Sequence, residues 1–238
     1  MIKVDKLTVG FYGKIVLKDI SFELPDKQNL VILGKSGSGK TVLIKSLLGI
    51  NLPESGTIIL DGVDIHKADD ELVHAAKAHF AMVFQNAALL DSFTIYQNVA
   101  LPLYERGQMS EAEIEEKVDF CLEKVGLKHT KNMVPSELSG GMRKRIGIAR
   151  ALVYDPAYII FDEPISGLDP ITAKEIVYYI AQIASERKVS VITITHDIRD
   201  LEQIADLVLF IHEGESRFFG KIGDIWQNQD PLVSSFLA

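Results

Sequence analysis

The sequence has a single cysteine, Cys121, in 238 residues. One thiol builds no disulfide framework, which fits a reducing compartment; within an amphipathic run it reads as a small core residue. Long hydrophobic runs are missing too. The longest, LVIL at 30–33 and YIIF at 158–161, fall far short of the roughly 18–20 residues needed to span a membrane. The start, MIKVDKLTVG, lacks the basic and apolar segments of a signal peptide and reads as a strand. A surplus of positive charge is also absent. The net charge is −8, the wrong sign for a surface that coats DNA or RNA, so no nucleic-acid partner is expected. There is no low-complexity stretch, linker or internal repeat. What remains is a soluble α/β chain, at most docked on a membrane through another protein.

The rhythm of the chain supports this. Residues 1–33 alternate like antiparallel strands, whereas LVIL is continuously apolar, as in a strand buried on both faces. GTIILDG (56–62) and FAMVFQ (80–85) read as further strands. From about 86 to 150 the pattern is mainly helical, with Ser110 and Glu113 forming a capping box. AYIIFD (157–162) and VSVITIT (189–195) are buried parallel-type strands around a helical segment at 172–188. LVLFIHEGESRFFG (207–220) reads as a hairpin. The expected organisation is one domain, with a core at about 1–85 and 151–238 and a helical insertion at about 86–150.

Two glycine-rich helix starts carry the chemistry. GKSGSGKT, 34–41, fits G-x-x-x-x-G-K-[ST] and stands between a buried strand and a helix, the context that identifies a phosphate-binding loop. Gly34, Lys35, Ser36, Gly37, Ser38 and Gly39 let the backbone wrap phosphate oxygens, and the helix beginning near Lys40 adds its positive dipole end. Lys40 supplies a cation for the β- and γ-phosphates, Thr41 a hydroxyl for Mg²⁺, and Val42 continues the helix. YIIFDEP ends an apolar strand in Asp162, suited to hold hydrated Mg²⁺, and Glu163, suited to polarise an attacking water. His196 follows VSVITIT and Gln85 closes FAMVFQ; both are expected at strand carboxyl ends, Gln85 within reach of Mg²⁺ or water. The second helix start is Ser139, Gly140 and Gly141 in LSGGMRKR, 138–145. The basic residues 143–145 read as a solvated helix face.

The ordered set GKSGSGKT, Gln85, LSGGM, YIIFDE, SGLD (166–169) and His196 resembles the ATP-binding subunit of ABC transporters along essentially the whole chain. That resemblance implies a P-loop NTPase fold with a RecA-like parallel-sheet core, an N-terminal antiparallel β subdomain and the helical insertion. It implies ATP and Mg²⁺ as ligands, and Glu163, His196 and Lys40 as catalytic. It makes Ser139, Gly140 and Gly141 the lid over ATP held by a second copy, in a head-to-tail sandwich. Tyr12 then resembles the aromatic that stacks on adenine, with neighbouring Phe11 able to serve instead; Asp169 resembles the residue that couples the two sites. A permease would dock near 86–104, through Leu89, Leu90 and Phe93, at the cytoplasmic face of a bacterial inner membrane.

The family's commonest signature ends in Gln where this chain has Met142. LSGGM, together with 85–103 and 162–172, looks like the subfamily that moves phospholipid with Mce-domain proteins. A soluble ABC-type ATPase, such as one for iron–sulfur assembly, and an ABC transporter ATPase for another cargo are the competing readings. A non-hydrolysing ATP sensor is disfavoured by the intact Glu163 and His196.

Overall fold

The computed structural model describes residues 1–186, 188–196, 198 and 202–238. Among them the strands form two sheets. β1 (Ile2–Phe11), β2 (Lys14–Leu24), β4 (Ser55–Leu60) and β5 (Val63–Asp64) make an antiparallel sheet in the order β2-β1-β4-β5. β3 (Leu30–Leu33), β6 (Phe80–Val83), β7 (Tyr158–Asp162), β8 (Ser190–Thr195), β9 (Leu207–His212) and β10 (Glu215–Lys221) make the second, in the order β10-β9-β3-β8-β7-β6. That sheet is parallel except for β10, which returns antiparallel to β9 as the expected hairpin.

Side chains alternate across a strand, and β3 uses both faces. Val31 and Leu33 enter a core shared with the helices, while Leu30 and Ile32 enter a core shared with the antiparallel sheet. Ile159 and Phe161 of β7 join the first core, and Tyr158 and Ile160 the second. Burying each such large apolar side chain is worth about 1.5–3 kcal/mol. The central sheet is thus fixed from both sides, and its strand ends are a rigid platform.

Helices fill the connections: α1 (Lys40–Leu47), α2 (Asp70–Lys77), α3 (Ile95–Arg106), α4 (Glu111–Lys124), α5 (Gly140–Leu152), α6 (Pro170–Ser185), α7 (Ile222–Ile225) and α8 (Pro231–Leu237). The capping box at Ser110 is formed: Glu113 accepts from the Ser110 backbone at 2.8 Å. Thr94 and Gln97 make a second one on α3. The strand expected at 80–85 stops at Val83, so Gln85 sits in the loop beyond it. Cys121 is buried, as its apolar stripe requires. Among the described residues no helix is long and apolar enough to cross a membrane.

Candidate functional site

Four neighbouring parallel strands, β3, β8, β7 and β6, end at the same edge, with Leu33 beside Thr195, Asp162 beside Ile194, and Val83 beside Phe161. Each then delivers expected groups. β3 leads into the glycine-rich loop, β8 into His196, β7 into Asp162 and Glu163, and β6 into Gln85. Carboxyl ends of parallel strands are where open α/β sheets bind ligands. Lys35, Ser36, Gln85, Glu163, Ser166 and His196 line one cavity of about 460 Å³, joined by Phe236 of α8.

The loop has the build of a phosphate cradle. Gly39 has φ +107°, and a Cβ there would lie 2.5 Å from Leu17 Cδ2, so glycine is required. Gly37, at φ +78°, faces open space. Ser38 Oγ is buried without a hydrogen-bond partner among the described residues. Lys40 begins α1, and its Nζ donates to the carbonyls of Gly34 at 2.7 Å and Lys35 at 3.0 Å. Burial lowers its pKa, and the charges of Glu163 and Asp162 partly oppose that shift. A buried ammonium whose hydrogen bonds go to neutral carbonyls, with one carboxylate oxygen 4.0 Å away, stands beside an unpartnered hydroxyl and suits a polyanion. Thr41 is exposed on the first turn of α1 and Val42 is half-buried behind it.

Glu163 adopts φ +47°, uncommon for a non-glycine residue, and its N–H donates to the Ile194 carbonyl at 3.0 Å. That turn aims its carboxylate: Oε2 pairs with His196 Nδ1 at 2.8 Å, and Oε1 lies 4.0 Å from Lys40 Nζ. Strain of this kind costs about 1–3 kcal/mol and persists only where surroundings enforce it. Burial raises the Asp162 pKa, and the Glu163 charge adds to the rise against Lys40 and Lys45. Gln85 Nε2 donates to Ser166 Oγ at 3.1 Å. Among the described residues no cluster of three or more His, Cys, Asp or Glu forms a metal cage. A hydroxyl, a carboxylate and an amide (Thr41, Asp162, Gln85) instead suit Mg²⁺ that keeps water and phosphate ligands.

The second helix start stands apart. Ser139 is the N-cap of α5 and its Oγ accepts from Met142 N at 3.2 Å. Ser139 and Gly140 are exposed, and nothing lies within 4 Å of where a Gly140 Cβ would be. Gly140 lines a different cavity, with Arg143, Lys144 and Gly167. Gln85 and Ser166 line both cavities and so bridge them. Met142 packs its side chain against the helical core, which explains how an apolar residue is accommodated there. Gly141 is forced by crowding, since a Cβ would sit 2.3 Å from Thr172 Cγ2. Thr172 Oγ1 in turn donates to Asp169 Oδ2 at 2.6 Å, within the N-cap of α6.

Tyr12 is fully exposed in the β1–β2 turn, with its ring free to stack, and Phe11 is exposed beside it. Leu90 is 42% exposed, whereas Leu89 and Phe93 are half-buried. Buried Asn98 holds their loop: it accepts from Leu90 N at 2.7 Å and donates to the carbonyls of Leu90 and Phe93 at 3.0 and 3.2 Å. The sequence offered no sign of that role.

One expectation is overturned. Residues 143–145 are not a solvated face. Lys144 is 8% exposed and donates to the carbonyls of Pro164 at 2.5 Å and Ser166 at 3.0 Å. Arg145 lies over the Tyr179 ring at 5.7 Å. Only Arg143 of the three is exposed.

A sequence profile of the family described as ABC transporter matches residues 17–166. The chain is 36% identical over 236 residues to a protein of Mycobacterium leprae named as a probable ribonucleotide transport ATP-binding protein, mkl, covering 99% of this chain and 68% of that one. It is 37% identical to the methionine import ATP-binding protein MetN of Histophilus somni, covering 98% and 69%. The chain thus spans about two thirds of the length of these curated relatives. Its fold matches cbiO1 of Clostridium perfringens, part of the ABC transporter complex cbiONQ, with TM-score 0.87 at 30% identity over 96% of this chain and 91% of that one. It also matches a dimeric, post-hydrolysis structure of the ATP-binding cassette MJ0796 bound to ADP and Pi, with TM-score 0.82 at 28% identity over 93% and 99%. With these likenesses and the strand-end geometry together, the chain belongs to the ABC transporter family, as an ATP-binding domain that hydrolyses ATP with Mg²⁺.

Proposed function

We propose that two copies of the chain close head to tail on two ATP molecules, that hydrolysis reopens them, and that the motion drives a separate membrane permease. The observation that carries this reading is the separation of the two helix starts. The loop at 34–41 shares its cavity with Glu163 and His196, while Gly140 lines another and opens to solvent. A helix start that lines a separate cavity from that of its own nucleotide loop, and is open to solvent, is placed to serve the loop of a second copy. The dimeric cassette with 28% identity supports the same arrangement.

In this reading Tyr12 stacks on adenine, and Gly34 to Val42 hold the triphosphate. Bound Mg²⁺, held by Thr41, Asp162 and Gln85, would neutralise the β- and γ-phosphate oxygens. Glu163 takes a proton from water as its oxygen attacks the γ-phosphorus. The bond to the bridging oxygen breaks, and ADP and orthophosphate leave. His196 orients the Glu163 carboxylate and Lys40 balances charge. Ser139, Gly140 and Gly141 offer the γ-phosphate of the partner's ATP a helix N-terminus. Asp169, capping α6 beside Gly141, couples the two sites. The division into a core at about 1–85 and 151–238 and a helical part at about 86–150 belongs to this reading, as does permease docking near 86–104.

For cargo, we infer a phospholipid, moved with an Mce-domain protein at the cytoplasmic face of a bacterial inner membrane. Met142 in the signature, with the flanking segments 85–103 and 162–172, supports it. The relatives named for ribonucleotide and methionine transport set the alternatives. The test is to isolate Glu163→Gln with ATP from membranes and identify what accompanies it. A permease with an Mce-domain protein is expected; an amino-acid permease alone would overturn the cargo reading.

A further inference from the structure

The loop after β6 carries two successive alanines in the left-handed region, Ala87 at φ +59° and Ala88 at φ +47°. A side chain makes this backbone unfavourable, so something must hold it. The holder is Arg150, near the end of α5. Its Nη1 donates to the Ala88 carbonyl at 2.8 Å and its Nη2 to the Ala87 carbonyl at 2.6 Å. One planar guanidinium thus grips two consecutive carbonyls, which an ammonium cannot do with the same fixed fork. The helix comes close enough because position 147, on the same face one turn earlier, is glycine. A Cβ there would lie 3.3 Å from Ala87 Cβ. Two residues before Ala87 stands Gln85, whose amide reaches Ser166 and lines both cavities. At its other end α5 begins with Ser139, Gly140 and Gly141.

We infer that Arg150 is a positioning residue for Gln85: it clamps the strained Ala87–Ala88 turn so that the Gln85 amide faces the nucleotide cavity, and it ties that amide to the helix whose start closes the partner's site. This rests on the reading of Gln85 as a ligand for metal or water. Structural glue would also bind carbonyls, but it would not depend on strain. Ala88 is exposed, so glycine there removes the strain without opening a core.

The full chain and its Arg150→Lys, Ala88→Gly, Gln85→Ala and Arg150→Lys/Ala88→Gly variants are compared by steady-state phosphate release and binding of a fluorescent ATP analogue. Arg150→Lys should lower kcat about tenfold, as expected for a misplaced group, with KM and analogue affinity held within about twofold. In the Ala88→Gly background the same change should cost less than about threefold. An Arg150→Lys enzyme with wild-type kcat, or an equal loss in both backgrounds, overturns the inference. Should Gln85→Ala turn over at the wild-type rate, the reading of Gln85 falls and takes the inference with it. A slow Gln85→Ala beside a wild-type Arg150→Lys sinks the inference alone.

Discussion

His196 Nδ1 stands 2.8 Å from Glu163 Oε2, a contact between the residues that directly follow two adjacent parallel strands. The other oxygen of the same carboxylate faces Lys40 from the phosphate loop. Three strand ends therefore converge on one carboxylate, and its direction is set before any ligand arrives. A base held this way is worth about 10²–10⁴ in rate. Glu163→Gln keeps the shape and removes the proton acceptor. It should bind ATP like the wild type and release phosphate at least about 100-fold more slowly. Turnover within a few-fold of wild type in a phosphate-release assay would remove Glu163 from the chemistry.

Lys40 is buried and bonded to the Gly34 and Lys35 carbonyls, so it shapes the loop itself, and in the proposed reading it also meets the nucleotide. Lys40→Met should lose at least one charge-assisted hydrogen bond to phosphate, about 1.5–3 kcal/mol, and hence roughly 10–150-fold in ATP affinity. Equilibrium titration with a fluorescent analogue checks this. Unchanged affinity would place the phosphates elsewhere.

The parts that were legible in the sequence are those whose signals are local. The apolar run 30–33 declared a strand buried on both faces, and the glycines of 34–39 declared the turn after it. Ser110 and Glu113 declared a helix start. Other features are encoded by distant partners. Lys144 looked like surface because its acceptors are backbone carbonyls some twenty residues downstream, and a carbonyl leaves no mark in a sequence. α2 buries only Val73 and Ala76, too narrow a stripe to announce a helix. β5 is two residues long, set by pairing to β4. Phe236 reaches the nucleotide cavity from the far end of the chain, which no spacing rule anticipates.

Gly141 illustrates a glycine required by a neighbour. In Gly141→Ala the new methyl would meet Thr172 Cγ2 at 2.3 Å and push Thr172 off Asp169. Overpacking of this sort costs about 1–3 kcal/mol. The expected result is a lowered Tm together with reduced ATPase activity, because the loop at 166–169 moves with its cap. A Gly141→Ala protein with wild-type Tm and activity would show that Thr172 yields freely.

Ser139 tests the two-copy arrangement. Its side chain caps α5 at an exposed helix start, so a bulky cation there blocks a partner without touching the nucleotide loop of its own chain. Ser139→Arg in the Glu163→Gln background should stay monomeric in light scattering with ATP while binding the nucleotide normally. Glu163→Gln alone should shift to twice the monomer mass. An ATP-dependent dimer of the double variant would show that 139–141 lie outside the interface.

Asp162, proposed above to hold Mg²⁺, also bears on stability. Burial, reinforced by the Glu163 charge, raises its pKa above the usual carboxylate range. The folded chain therefore holds this proton more tightly than the unfolded chain does. Its stabilising contribution is fully present at low pH and is lost as pH rises through the raised value, so at neutral pH the ionised carboxylate opposes folding. Asp162→Asn keeps the shape and deletes that charge. Without ligand it should melt above the wild type at pH 7, and the gap should close as pH falls through the carboxylate range. With Mg²⁺ and ATP the order reverses, since a ligand at about 100 times its Kd adds roughly 2.7 kcal/mol to the protein that binds it and little to the one that does not. Thermal melts over pH, with and without Mg²⁺-ATP, decide the matter. An Asp162→Asn protein that melts below the wild type without ligand at pH 7 would refute the charge penalty, and one that gains as much from Mg²⁺-ATP would separate Asp162 from the metal.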